Sequence, residues 1–159
     1  MRLLYGEGEK KAIVYFLDAA KTAESATCLK DKCGAVIVKD NKIISRGFNH
    51  PPANTKPRCL EDKSKYHPKV TDKTCCIHAE NHAISNALKG HPKELIGSSL
   101  YFIRLGKDGE ITKAGKPYCT LCSKNALEEG IKEFVLWHNH GMVAYGTEEY
   151  DDISHSYKE

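Results

Sequence analysis

Two short motifs constrain this chain more than any other feature: Cys76-Ile77-His78-Ala79-Glu80 and Pro117-Tyr118-Cys119-Thr120-Leu121-Cys122. Each stands where a loop runs into an apolar pattern of helical spacing. After His78, the residues Ala79, Ala83, Ile84, Ala87 and Leu88 recur on one face as far as Gly90. A second helix is predicted from Thr120 to Glu129, stopped by Gly130. A helix N-terminus presents unpaired N–H groups and a positive dipole end. That field lowers a thiol's pKa and favours the thiolate. One imidazole and two thiolates fill three of zinc's four tetrahedral positions and leave the fourth for water, which is a catalytic arrangement rather than a structural one. The chain must therefore bring together two helix starts about forty residues apart.

Glu80 falls in the first turn of the first of these helices. A carboxylate suits a thiolate-rich site less well than Cys and His do. Beside a zinc-activated water it serves better as a proton carrier. Two thiolates also cancel the formal charge of the metal, so water there is acidified less and an adjacent general base becomes necessary. Each fragment is weak by itself. A lone Cys-x-x-Cys can be a redox pair, a lone His-x-Glu carries almost no information, and Cys75 or Cys76 could close a structural zinc knuckle. Both motifs at helix starts, in this order and with a strand between them, carry the catalytic reading.

The remaining periodicities predict the frame. Ala12, Ile13, Phe16, Leu17 and Ala20 form the stripe of an amphipathic helix over residues 9–26. Cys33–Asp40 and Ile43–Phe48 flank Asn41-Lys42 and read as an antiparallel hairpin. Ser99–Leu105, Ile131–Trp137 and Met142–Tyr145 read as strands. The last two are joined by a link too short for a helical crossover, so they pair antiparallel. This order predicts an α/β fold, a three-layer sandwich of a mixed, about five-stranded sheet with helices on both faces. Residues 49–76 lack periodicity and contain four prolines, a long loop of the functional or disordered kind.

At 159 residues one domain spanning 1–159 is expected. The charge balance, 24 basic against 21 acidic residues, gives +3. That excess is too small to imply a nucleic-acid surface. It is unevenly spread: residues 50–76 are basic, whereas 146–159 form an acidic C-terminal tail, read as solvated surface or a subunit contact. The longest early apolar run, Ala12–Leu17, is too short for a membrane span or a signal peptide. With seven cysteines, an odd number, this favours a reducing, cytoplasmic setting in which thiols bind metal, react or pack.

The paired motifs resemble those of the cytidine and deoxycytidylate deaminase superfamily, His-x-Glu followed by Pro-Cys-x-x-Cys. The resemblance extends to Ala26–Lys39, similar to the lead-in and first strand of deoxycytidylate deaminases, and to Gly47-Phe48-Asn49, similar to their Gly-Tyr-Asn. It covers residues 10–137. It implies one zinc ion held by His78, Cys119 and Cys122, Glu80 as the catalytic proton shuttle, and Asn49 and Ala79 as substrate-binding residues. The implied activity is hydrolytic deamination of cytidine, deoxycytidine or dCMP to the uracil product, in a homo-oligomer. Two alternatives stay open: deamination of a base within RNA or DNA, and a non-catalytic zinc-binding interaction module.

The chain departs from the family pattern at several places. Tyr118 separates the proline from Cys119, His82 stands where Asn is common, and the excursion Gly106–Lys116 is long. The closing hairpin is similar to the cytidine deaminase branch. A second, structural ion is not expected among His50, His67, Cys59, Cys75 and Cys76, because no ligand-type spacing supports it. Cys28 and Cys33 are expected to pack. Lys63, Lys65 and Lys69 are candidates for a phosphate or simply solvated.

Overall fold

The structure is a computed structural model that describes residues 1–158. In chain order the elements are β1 (Arg2–Leu3), α1 (Gly6–Ala23), β2 (Lys32–Lys39), β3 (Lys42–Phe48) and α2 (Ala79–Gly90). They continue with β4 (Ser99–Leu105), β5 (Ile111–Thr112), α3 (Thr120–Glu128), β6 (Glu133–His138), β7 (Gly141–Gly146) and α4 (Thr147–His155). The strands form one sheet in the order β1-β7-β6-β4-β2-β3, with β5 on β4. Only β4 and β6 run parallel, and β6–β7 is antiparallel as its short link requires. The five expected strands are all present. The count rises to seven because two strands of two residues each, β1 and β5, have no length in which alternation could show.

The layers follow from β2. It is buried from Cys33 to Val38 because both of its faces are covered, so it reads as a continuous apolar run. Val36 and Val38 face α1 together with Ala12, Phe16 and Ala19. Ala35 and Ile37 face α2, α3 and α4 through Ala83, Ile84, Ala126 and Tyr150. Two glycines set the spacing. A Cβ on Gly34 would lie 2.0 Å from the Ala19 carbonyl of α1, and one on Gly47 would lie 2.2 Å from the Ala83 nitrogen of α2. The β2–β3 turn holds Asp40 and Asn41 at φ 49° and 61°, the left-handed pair that a tight hairpin demands.

The acidic segment is not a solvated tail over its length. Helix α4 buries Tyr150 and Ser154, and the Tyr150 ring stacks on Phe134 with centroids 4.1 Å apart. Glu149 pairs with the N-terminal ammonium and Asp151 with the Ser123 hydroxyl, so the acidic side chains fasten the helix down. Glu159, also assigned to the tail, lies outside the described residues. No helix among the described residues is long and apolar enough to cross a membrane.

The 106–116 excursion is sewn to the sheet. Beyond β5, the Ala114 N–H donates to the Trp137 carbonyl at 2.8 Å, and the Lys113 ammonium sits 3.3 Å from the centroid of the Trp137 ring. His138, the last residue of β6, is buried. Its Nδ1–H donates to the Ala114 carbonyl and its Nε2 accepts from the Tyr145 hydroxyl, each at 2.9 Å. A protonated ring could not accept that second bond. Burial accordingly holds the His138 pKa below the usual imidazole value, with His140 adding to the effect against the Ala114 bond. His82 shifts in the same direction by burial. The unfolded chain then binds more protons than the folded one as pH falls through about 6.5. In urea titrations from pH 7.5 to pH 5.5, His138 should therefore add to the drop in stability, so that His138→Gln drops less than the wild type. An equal drop in both proteins would rule out His138 as a source.

Candidate active site

His78 and Cys119 are the N-cap residues of α2 and α3, in extended backbone conformation just ahead of the first turn. The two helix starts lie side by side on one face of the sheet. An Asn125–Asn81 hydrogen bond of 3.0 Å links the helices. His78 Nδ1 lies 3.3 Å from both Cys119 Sγ and Cys122 Sγ, and the two sulfurs are 3.2 Å apart. A tetrahedral zinc with bonds of about 2.3 Å to sulfur and 2.0 Å to nitrogen spaces its ligand atoms roughly 3.5–3.8 Å apart. The observed separations fall a few tenths of an ångström short, a gap that small side-chain rotations close. The donor set fits zinc in its chemistry as well, with two thiols and one imidazole.

The three donors hold one another's protons, and of them Cys119 shifts toward the form that binds metal. Cys119 is drawn down to about 4 because Cys122 hydrogen-bonds its thiolate, with His78 adding a hydrogen bond and charge against the opposing effect of burial. His78 rises to about 9 through the same contact with Cys119. Cys122 is pushed up by Cys119 and by burial. Among the described residues this cluster has three donors and no fourth from the protein. Cys75 and Cys76, which could have closed it, point elsewhere.

Glu80 is 5% exposed and lines the same cavity as His78 and Cys119. Burial raises its carboxyl to about 7, with the Cys119 charge helping and His78 opposing. Asn49 is also buried in the cavity wall. Its Oδ1 accepts from the Cys33 N–H and its Nδ2 donates to the Asp31 carbonyl, each at 2.8 Å. An amide offers two donors and two acceptor sites, so one of each remains. Ala79 completes this part of the lining. The structure thus brings all six sequence-predicted residues to one cavity or its floor.

That cavity measures about 260 Å³, close to the lower end of the roughly 300–1,000 Å³ usual for small-molecule sites. Sequence reasoning missed much of its wall: Phe102 and Arg104 from β4, Tyr118, and Tyr150 from α4. Arg104 could have been found from strand alternation, since it shares the inward face of β4 with Phe102. Tyr150 carried no signal. Of the basic-loop candidates, Lys63 lines the cavity, while Lys65 and Lys69 do not.

The thiols of Cys28, Cys59 and Cys76 form a second three-donor cluster, which the sequence-based expectation did not include. Cys59 Sγ lies 3.9 Å from Cys28 Sγ and 3.5 Å from Cys76 Sγ. Their separations in sequence, 31 and 17 residues, belong to no ligand spacing. Only the fold of the middle loop over the start of β2 brings them together. Cys28 thus packs against two further thiols.

The α/β sandwich thus gathers one imidazole and two thiols at two helix N-termini, with a buried carboxyl beside them, a donor set of the kind that binds zinc. Residues 9–138 match the family described as the cytidine and deoxycytidylate deaminase zinc-binding region, and the chain belongs to that family. The deoxycytidylate deaminase of Mycobacterium phage D29 is 35% identical over 132 residues, covering 76% of this chain and 90% of that one. The deoxycytidylate deaminase of Schizosaccharomyces pombe is 27% identical over 139 residues, 82% of this chain. The chain spans only 38% of that relative's length. The crystal structure of dCMP deaminase from cyanophage S-TIM5, in complex with dCMP and dUMP, shares the fold. Its TM-score is 0.58 at 23% identity over 82% of each chain.

Gly47 lets β3 lie against the turn of α2 that carries Glu80, since a Cβ there would meet the Ala79 carbonyl at 2.3 Å and the Ala83 nitrogen at 2.2 Å. Gly47→Ala should lower stability by about 1–3 kcal/mol in urea titrations and reduce the zinc retained after purification. Unchanged values of both would show that β3 does not set the position of α2.

Proposed function

We propose that this chain is a zinc-dependent deaminase of a cytosine nucleotide, dCMP being the first substrate to test, and that it replaces the C4 amino group by oxygen with release of ammonia. The observation that carries the reading is the buried Glu80 sharing one cavity with a three-donor metal set that takes no fourth donor among the described protein residues. The names of the phage and yeast relatives support the substrate class.

His78, Cys119 and Cys122 would hold the ion, and zinc bound there supplies the Lewis acidity that makes water a nucleophile near neutral pH. Glu80 does the proton work. Its carboxylate takes a proton from the attacking water and passes it to ring N3 as the C4–O bond forms. It then carries the remaining hydroxyl proton to the amino group, which leaves as ammonia when the C4–N bond breaks. A carboxyl raised toward 7 is suited to both halves of that cycle, because it neither holds nor releases its proton too tightly. Asn49 offers its spare donor and acceptor to the sugar hydroxyl, and its two backbone bonds fix the amide for that purpose. Ala79 closes the wall beside the base.

Glu80→Gln preserves shape and removes the proton carrier. Turnover followed by the cytosine-to-uracil absorbance change should fall by roughly 10²–10⁴-fold, with zinc content unchanged. Near wild-type turnover would sink Glu80 as the shuttle. The proposal also includes the number of ions. Cys28, Cys59 and Cys76 offer thiols at distances a soft cation can bridge, so two zinc ions per chain are expected by elemental analysis, falling to one in Cys59→Ser. One ion in the wild type would show that the cluster is only a set of packed thiols.

A further inference from the structure

Arg104 is the unmatched charge of this site. The sequence has four arginines. Arg2 forks onto Glu133 at 2.8 and 3.1 Å, and Arg46 forks onto Asp18 at 2.6 and 2.9 Å. Arg58 lies on the exposed middle loop. Arg104 is half-buried in the cavity wall, yet among the described residues no carboxylate lies within salt-bridge distance of it. Its guanidinium donates to the Tyr118 hydroxyl at 2.9 Å and contacts the Cys33 thiol opposite it on β2. Withdrawing a cation from water without a counter-charge is costly. A ligand that brings the anion offsets that cost.

Its position says which part of a ligand it meets. Cys33, the register partner of Arg104, gives its N–H to Asn49, the residue assigned above to the sugar. Glu80 and the metal donors, where the base must react, line the same cavity. Tyr118 and Arg104 also form the partition to a second cavity of about 100 Å³, built by the 112–117 segment, Trp137 and Tyr150. The excursion thus ends by delivering Tyr118 onto the guanidinium and holding it from behind. Other charges that line the cavity are single points: Lys30 on an exposed turn, Lys63 on a short helical turn, and Asp31 of opposite sign. A planar guanidinium matches two phosphate oxygens at once, which an ammonium cannot do.

We infer that Arg104 determines specificity at this site, taking the 5′-phosphoryl group of the nucleotide in its guanidinium fork while Tyr118 holds the fork in place. This rests on the deaminase reading above and adds to it the residue that distinguishes a nucleotide from a nucleoside. The basic-loop lysines 65 and 69 then have no part in the choice.

The test compares kcat/KM for dCMP and for deoxycytidine, using zinc-loaded protein. The dCMP-to-deoxycytidine ratio should fall roughly tenfold to 150-fold in Arg104→Gln, the size expected for hydrogen bonds to a charged group. Arg104→Lys keeps the charge and loses the fork, so its ratio should lie between the two. It also serves as the reporter should the Gln variant fail to fold. A Lys65→Gln/Lys69→Gln variant should keep the wild-type ratio. A ratio within threefold of wild type in both Arg104 variants overturns the assignment, as does a collapse of the ratio in the lysine variant. A wild-type protein that deaminates neither compound fails at the earlier step and removes the deaminase reading itself.

Discussion

Three soft donors can converge only if two helices begin at the same place, and that requirement organises the whole molecule. Helix α2 must lie close against β3 for its first turn to reach the sheet's centre, which Gly47 alone permits. Helix α3 must start beside it, and the parallel β4–β6 pairing provides this by returning the chain across the same face between the two strands. The convergence has an electrostatic cost. Two helix N-termini point their positive ends at one spot, and a thiolate on Cys119 answers that field. A cation held by three such donors would then be the one component the chain does not encode.

Much of the frame was legible because its signals are local. Periods of two and of about 3.6 residues marked the five long strands and three of the helices, and Asn41-Lys42 between two β-branched runs announced the hairpin, although the left-handed pair falls one residue earlier, at Asp40 and Asn41. What escaped depended on partners. β1 and β5 are too short to have a period: β1 pairs with the open edge of β7, and β5 with Arg104 and Leu105 at the end of β4 beyond its pairing with β6. Helix α4 was obscured by its charge: Glu148, Glu149, Asp151 and Asp152 suggest a solvated tail, while Tyr150 among them anchors the helix in the core.

The site divides along the same line. His78, Glu80, Cys119 and Cys122 were visible because metal chemistry fixes residue type and spacing within a few positions. The thiol group of Cys28, Cys59 and Cys76 was invisible because its members come from three separate segments joined by a loop without periodicity. Arg104 hid in a strand, where an inward-facing arginine between Ile103 and Leu105 looks like one polar residue in an apolar run. Distance in sequence, not subtlety of chemistry, separates the residues found from those missed.

The cavity's charges fall into two sets, and this division links the two halves of the functional reading. At the floor, the ionisable groups are Glu80, raised toward 7, and the donors that a cation would neutralise, so the reacting end is close to electrically neutral once loaded. The rest of its wall carries Arg104, Lys63 and Lys30 against Asp31. A nucleoside monophosphate is polarised in the matching sense, with an uncharged base at one end and an anion at the other. A free base would leave the Arg104 charge unmatched, while a long polyanion would meet a small cavity closed behind by Tyr118 and the 112–117 segment. The volume of the cavity thus limits the size of the substrate, and the charges of its wall limit the sign.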